Sequence, residues 1–427
     1  MKILLYSTCF ESMLLVQNLE AEGHSLVMYC DDKSEVGDGI VWKTSDPDEA
    51  AAQADLVIFD DNGMGKVADR YRAKGYRVWN GGMLNDRLEH DRKLGMKVFQ
   101  QCGIPIPKTV NVSNLKQVEE AAGQFKRAVI KIDGEDKAGS SYSFVADDSD
   151  QLVEQVVHWE EEGLLKGGWS GIVQEFVKGI EVSTEGWFCD GKWTNLNITL
   201  EEKKACSGNL GQSIGCAFNT VLSIKETSKL FKIVLQPLTQ FLAKSGFVGQ
   251  IDTNAIVCDG KPYALEFTPR CGYDATPTLA WGRNSYGADV AAALGLECPD
   301  RVLVDRGKVW CGVRVSTPPY PVEVSDEKVY ETVYEAAHGV PVENWEGGDF
   351  YFYDVALDPE KGLYVAGACG IVGVALGGGD DVAEAARHAY SVADKLKIPN
   401  KSYRALDGHK RAMDALPELE EMGLIRR

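Results

Sequence analysis

The chain has 427 residues, 44% of them hydrophobic and 26% charged. That is too long for one ordinary core and points to roughly two to four globular domains. The formal net charge of −19 sets phosphate backbones against the surface and argues against long nucleic acid as a partner. No apolar run reaches the length of a bilayer span, and the first residues turn polar too soon for a signal peptide, so no membrane partner is expected.

The eleven cysteines are scattered without a Cys-x-x-Cys pair, and the six histidines show no metal-ligand spacing. Free thiols in a reducing cytoplasm are expected, and structural zinc is not.

Residues 1–90 alternate strand and helix patterns. Strands are expected at 2–7, 25–30, 55–60 and 77–79, with a helix over 10–23 that ends at Gly23. Such a βαβ series forms a parallel sheet whose ligands sit beyond the carboxyl ends of its strands. The segments there are 7–10, Asp31-Asp32 and 60–65. The first turn lacks Gly-x-Gly-x-x-Gly, which argues against a dinucleotide dehydrogenase.

A helix is expected over 91–103, then an extended Ile104-Pro105-Ile106-Pro107 connector. A helix at 115–125 and a strand at 128–132 follow. The small-residue loop 133–141 has the composition of a flap whose N–H groups close over phosphates, or of an ordinary hairpin loop. Further on come a helix at 150–162, a strand-and-turn stretch at 171–181 and two strands around Asp190-Gly191. The polar stretch 201–215 is too rich in glycine for helix or strand and reads as a long loop, of the kind that is often functional. An amphipathic helix is expected over 225–245.

Residues 254–270 read as two strands joined at Asp259-Gly260, a pair that tolerates a tight hairpin turn. This hairpin would bring Asn254, Glu266 and Arg270 to one end: oxygen ligands for a hard cation and a fixed positive charge for developing anions. As pure structure, the same residues could form a solvated surface hairpin with Arg270 paired to Asp274. Residues 305–427 look like a smaller α+β unit with strands at 308–315, 349–356 and 362–376. A helix over 380–397 is opened by an Asp cap.

In this order the elements resemble the ATP-grasp ligases. Within them they resemble the glycinamide ribonucleotide synthetases (phosphoribosylamine–glycine ligases) over nearly the whole chain. The resemblance rests on Asp91-Arg92 ahead of Gly103-Ile104-Pro105, on Val129-Ile130-Lys131-Ile132-Asp133-Gly134, on Gln174-Glu175-Phe176-Val177 with Gly179 and Glu181, and on Leu265-Glu266-Phe267-Thr268-Pro269-Arg270. Gly367 to Val374, Asp381 to Ala385 and Tyr403-Arg404 resemble the last domain of those synthetases.

The resemblance implies an α/β and α+β chain. A Rossmann-like parallel sheet would occupy 1–92, an ATP-grasp domain 93–304 with a lid at about 126–180, and a small α+β domain 305–427. It implies an ATP-dependent ligase that forms an amide through an acyl phosphate, with Mg2+ or Mn2+ as the metal. Its small-molecule partners would be a carboxylate, an amino acid with glycine foremost, and an amine. Arg92 and Lys131 would touch phosphates under a loop carrying Gly139 and Ser140. Backbone groups of Glu175 and Val177 would meet adenine, and Glu181 the ribose. Glu266, Asn254 and Thr268 would face metal, Arg270 and Lys204 would be catalytic, and Lys203, Asn209, Gly211 and Asp252 would contact substrate.

Three departures stand out. Thr268 takes the place where the family carries an Asn metal ligand. The run 208–216 keeps the family's glycine spacing but not its middle, and residues 7–11 replace its N-terminal Gly-rich turn. The substrate is thus open, from a purine intermediate to another amine or a hydroxyl, including that of a modified nucleotide. A non-catalytic ATP-binding regulator is the reading from another class.

Overall fold

The β-rich runs of the first ninety residues pair as expected. In the computed structural model, which describes residues 1–31, 34–133, 143–165, 168–298, 304–321, 337–367 and 369–427, they form a five-stranded parallel sheet. Its order is 42–43, 25–30, 2–7, 56–59 and 78–79. The first helix is Met13–Ala21, shorter than the periodicity suggests. Phe10 adopts a left-handed backbone before it, so the chain turns sharply at the carboxyl end of the first strand. Within these ninety residues, three helices were not singled out from sequence: Pro47–Gln53, Gly65–Ala73 and Met83–His90.

Strands 109–112, 171–175, 128–132 and 143–146 form a four-stranded antiparallel sheet covered by helices Leu115–Ala122 and Ser149–Glu161. The largest sheet has eight strands in the order 261–268, 249–258, 180–189, 192–206, 210–223, 309–316, 371–379 and 350–352. It takes strands from both sides of residue 304. Its two tight hairpins turn at Asp190-Gly191 and Asp259-Gly260, where all four residues have positive φ, the geometry those pairs supply. Helix Val382–Lys395 is capped by the Asp381 side chain and buries Val382, Ala385, Ala386, Ala389 and Ala393.

Three expectations are corrected. The 201–215 stretch is not a loop: strands Lys192–Cys206 and Leu210–Ser223 pair through it, leaving only 207–209 as the turn. Ladder pairing of the two strands with each other overrides local composition, and two register shifts absorb the irregularity. The 225–245 helix is broken into a π turn at Phe231–Leu235, a 3₁₀ turn at Gln236–Leu238 and an α-helix at Thr239–Ser245. Pro237 lies at the junction and cannot donate the helical hydrogen bond. The 349–356 and 362–376 runs each split in two, into Phe350–Phe352 and Val355–Asp358, and into Gly362–Val365 and Ile371–Gly379.

Gly249 joins the parallel sheet to the large one. Its φ is +141°, and a Cβ there would lie 2.4 Å from Asn80 Oδ1, the atom that accepts the Gln250 N–H. Gly249→Ala is therefore expected to destabilise the fold by roughly 2–3 kcal/mol, measured as a lowered urea midpoint. A midpoint equal to wild type would show that this junction gives way without cost.

Candidate active site

Rows of side chains on one face of the large sheet build the site, because residues two apart on a strand share a face. Thr199, Ser183, Asn254 and Glu266 lie in register across four strands. They floor a cleft of about 2000 Å³ that also reaches the parallel sheet and the C-terminal segment.

Glu266 is the hub of one end. Its Oε2 accepts hydrogen bonds from Arg92 Nη1 at 2.6 Å and Lys131 Nζ at 2.9 Å. Arg92 is placed there because Asp91 caps its helix, accepting from the Leu94 N–H at 2.9 Å; Lys131 comes from the 128–132 strand. Burial alone would raise the Glu266 carboxyl, but the Lys131 and Arg92 cations outweigh it and hold the group well below the usual carboxylate range. Two buried cations meeting on one carboxylate oxygen are a pair of charges that an incoming polyanion can share.

Beside this hub, Lys203 Nζ lies 2.6 Å from Glu181 Oε1, and Asn254 Nδ2 donates to the same oxygen at 3.3 Å. Burial opposes the charge on Glu181, and Lys203 restores it, leaving the carboxyl below its ordinary value. Asn254 is 5% exposed, yet its Oδ1 has no hydrogen-bond partner. An orphaned amide oxygen opposite the Glu266 carboxylate is an oxygen-only donor set, the kind a hard divalent cation takes.

Arg270 marks the other end. Its guanidinium lies 3.0 Å from Asp61 Oδ1 and 3.1 Å from Glu89 Oε1, and stacks on the Tyr273 ring at 4.2 Å. Asp274 does not pair with it; Asp274 holds Arg314 at 2.6 Å instead. The alternative Arg270–Asp274 pair is therefore not formed. The register explains it: Arg270 lies just past the 261–268 strand and faces the parallel sheet, whereas Asp274 opens the next helix and faces strand 309–316.

Glu175, Val177, Lys204, Asn209, Asp252 and Thr268 also line the cleft. Gly211 does not: it sits behind the hairpin turn, where a Cβ would meet Cys206 Sγ at 3.2 Å, so its expected substrate contact is not seen. Gly139 and Ser140 lie outside the described residues. Of the segments at the strand ends, Asp61 reaches the cleft, as does Glu11 just past the first of them. Asp31 instead bonds the Tyr29 hydroxyl, and Asp32 lies outside the described residues.

Sequence reasoning missed Glu89, on an unpredicted helix, and Glu185 and Asn197, which share the cleft face of the sheet. It also missed Arg411, which reaches from the C-terminal helix to Glu202 Oε1 at 2.7 Å. For Glu185 and Asn197 the period-2 pattern with Glu181 and Lys203 was a usable signal; for Glu89 and Arg411 the sequence carried none.

No family model matches the chain. A phosphoribosylamine–glycine ligase of Ralstonia nicotianae is 23% identical over 359 residues, covering 81% of each chain. The solved phosphoribosylamine–glycine ligase of Thermotoga maritima superposes with a TM-score of 0.76 at 18% identity, over 95% of this chain and 99% of that one. A biotin carboxylase of Campylobacter jejuni superposes with a TM-score of 0.65 at 10% identity, over 98% of this chain and 96% of the other. Among the described residues no helix is long and apolar enough to cross a membrane. The chain thus has the fold of the ATP-grasp ligases and, among them, resembles the phosphoribosylamine–glycine ligases in both sequence and structure.

Proposed function

We propose that the protein is an ATP-dependent carboxylate–amine ligase. A carboxylate oxygen attacks the γ-phosphorus of ATP and ADP leaves. The amine nitrogen then attacks the acyl carbon, phosphate departs, and the amine gives up a proton. The observation that carries this reading is the Arg92–Glu266–Lys131 hub beside the orphaned Asn254 oxygen, with Arg270 four residues further along the same strand end.

Arg92 and Lys131 neutralise the triphosphate, and Glu266 with Asn254 would hold Mg2+, which would supply further neutralisation of phosphate charge. Thr268 is a weaker oxygen donor on the same strand and adds to that side only through its hydroxyl. The Glu175 N–H is taken by the Lys108 carbonyl at 2.9 Å, so adenine meets Glu175 through its carbonyl and Val177 through its backbone. Glu181, set by Lys203, faces the ribose. Arg270 stabilises the acyl phosphate and the oxyanion that follows it. The relatives are named for phosphoribosylamine and glycine, which makes glycine the first carboxylate to try.

ADP release from ATP and Mg2+, measured over the twenty amino acids and a panel of amines that includes phosphoribosylamine, tests the proposal. Turnover is expected only when carboxylate and amine are both present. ATP binding without ADP from any pair would replace the ligase with a non-catalytic regulator.

A further inference from the structure

One wall of the cleft comes from the far end of the chain. Helix Lys410–Glu421 buries Ala412, Ala415, Leu416 and Leu419, an i, i+3, i+4, i+7 stripe that fixes its rotation. Arg411 stands in the first turn, beside that stripe, and lines the cleft together with Arg404 and Asp407.

Arg411 grips strand backbone as much as charge. Strands 180–189 and 192–206 pair from Cys189 with Lys192 as far as Ser183 with Thr199. The same register carried two residues further would set Glu181 opposite Glu201. The ladder stops short of that pair, and the Arg411 guanidinium takes its place: Nη1 donates to the Glu181 carbonyl at 3.0 Å and Nη2 to the Glu201 carbonyl. Nε donates to Glu202 Oε1 at 2.7 Å. The planar fork has a fixed geometry, so it sets the distance between the two strands. Glu202 is 7% exposed, and its Oε2 lies 3.3 Å from Arg404 Nη1. Arg404 is held in turn by Asp407, at 2.8 and 3.2 Å, and donates to the Lys204 carbonyl at 3.2 Å. The two arginines thus hold residues 201, 202 and 204, on either side of Lys203. Between Glu202 and Lys204 the pairing with strand 210–223 shifts register, an irregularity of the kind that re-aims a side chain. Lys203 Nζ is aimed at Glu181 Oε1, 2.6 Å away.

We infer that Arg411 is a positioning residue for the nucleotide: braced by Glu202 and Arg404, it sets the strand spacing that holds the Glu181 carboxylate where ribose hydroxyls can donate to it. This rests on the reading of Glu181 as the ribose side of the ligase site. A carboxylate that accepts from two neighbouring hydroxyls must be placed accurately, because such bonds weaken steeply with distance and angle. The C-terminal segment thereby governs nucleotide affinity through Glu181 and Lys203, and coupling between that segment and the sheet becomes coupling to the bound nucleotide.

Calorimetric titration of the whole chain with ADP and with 2′,3′-dideoxy-ADP, each with Mg2+, tests this. The wild-type protein is expected to prefer ADP by roughly 10-fold or more, since the dideoxy sugar has no hydroxyl to donate to Glu181. Arg411→Met removes the fork and keeps an unbranched side chain. It is expected to bind ADP roughly 10-fold more weakly, to bind dideoxy-ADP as wild type does, and so to lose the preference. Arg411→Lys keeps a charge beside Glu202, which guards against misfolding of the first variant, and is expected to show a preference between the two. A preference of wild-type size in both variants would overturn the inference and leave the ribose assignment of Glu181 standing. An equal loss for both nucleotides would overturn it as well, because Arg411 would then only hold the sheet together. If the wild-type protein bound both nucleotides alike, the ribose assignment would fall and this inference with it, while ADP release in the substrate screen would still support the ligase. Binding of neither would overturn the nucleotide reading itself.

Discussion

Arg270→Lys is expected to lower ADP-forming turnover by roughly 10²–10³-fold with little change in the KM for ATP. Lysine keeps the charge but not the planar fork that meets Asp61 and Glu89 together and stacks on Tyr273. Arg270→Ala should lose at least as much turnover. It also leaves two carboxylates without their cation, so a lowered urea midpoint is expected with it. The lysine variant separates the two effects: a folded protein with wild-type ADP release would remove Arg270 from the chemistry.

Glu266→Gln is expected to act twice. Turnover should fall by about 10³-fold or more, because the metal side loses its carboxylate while Asn254 supplies only a neutral oxygen. Stability should change with a definite sign. Burial raises the Glu266 carboxyl, yet Lys131 and Arg92 pull it below its ordinary value. Its contribution to folding is therefore present above the unfolded value of about 4.3 and is lost as the pH falls below it. Near neutral pH, Glu266→Gln should cost roughly 3 kcal/mol, since two buried cations lose their partner. Below about pH 4 the gap should narrow progressively, because the unfolded chain takes up the proton there while the folded carboxyl, held down by Lys131 and Arg92, still resists it. Urea midpoints from about pH 3 to 7 measure this, and a constant gap across that range would show that the Lys131 and Arg92 pairs add nothing to the native state.

Much of the site was legible because its signals are local. Asp259-Gly260 dictates a tight turn, so the pairing from Cys258–Lys261 back to Ala255–Ala264 follows from counting along two strands, while a one-residue register shift then sets Asn254 opposite Glu266. Asp91 and Asp381 are side-chain caps, and each opens a helix where the sequence places it. The β-rich and helical alternation of the first ninety residues produces a parallel sheet in the expected order of elements.

Where local and tertiary preferences conflict, the sequence misleads. Glycines at 208, 211 and 215 take positive φ inside a long hairpin, and composition alone reads them as a loop. The 225–245 stretch has helical periodicity throughout, but Pro237 and the π turn before it interrupt the ladder.

Alone, then, the amino-acid sequence determined turns, caps, strand and helix periods, and the spacing that places Asn254, Glu266 and Arg270 in one hairpin. Those depend on φ/ψ preferences and hydrogen bonds within a few residues. The tertiary structure decided which distant charges meet: Arg92 and Lys131 on Glu266, and Asp61 and Glu89 on Arg270. Those meetings depend on strand order and register, where a shift of one residue would turn every side chain to the opposite face.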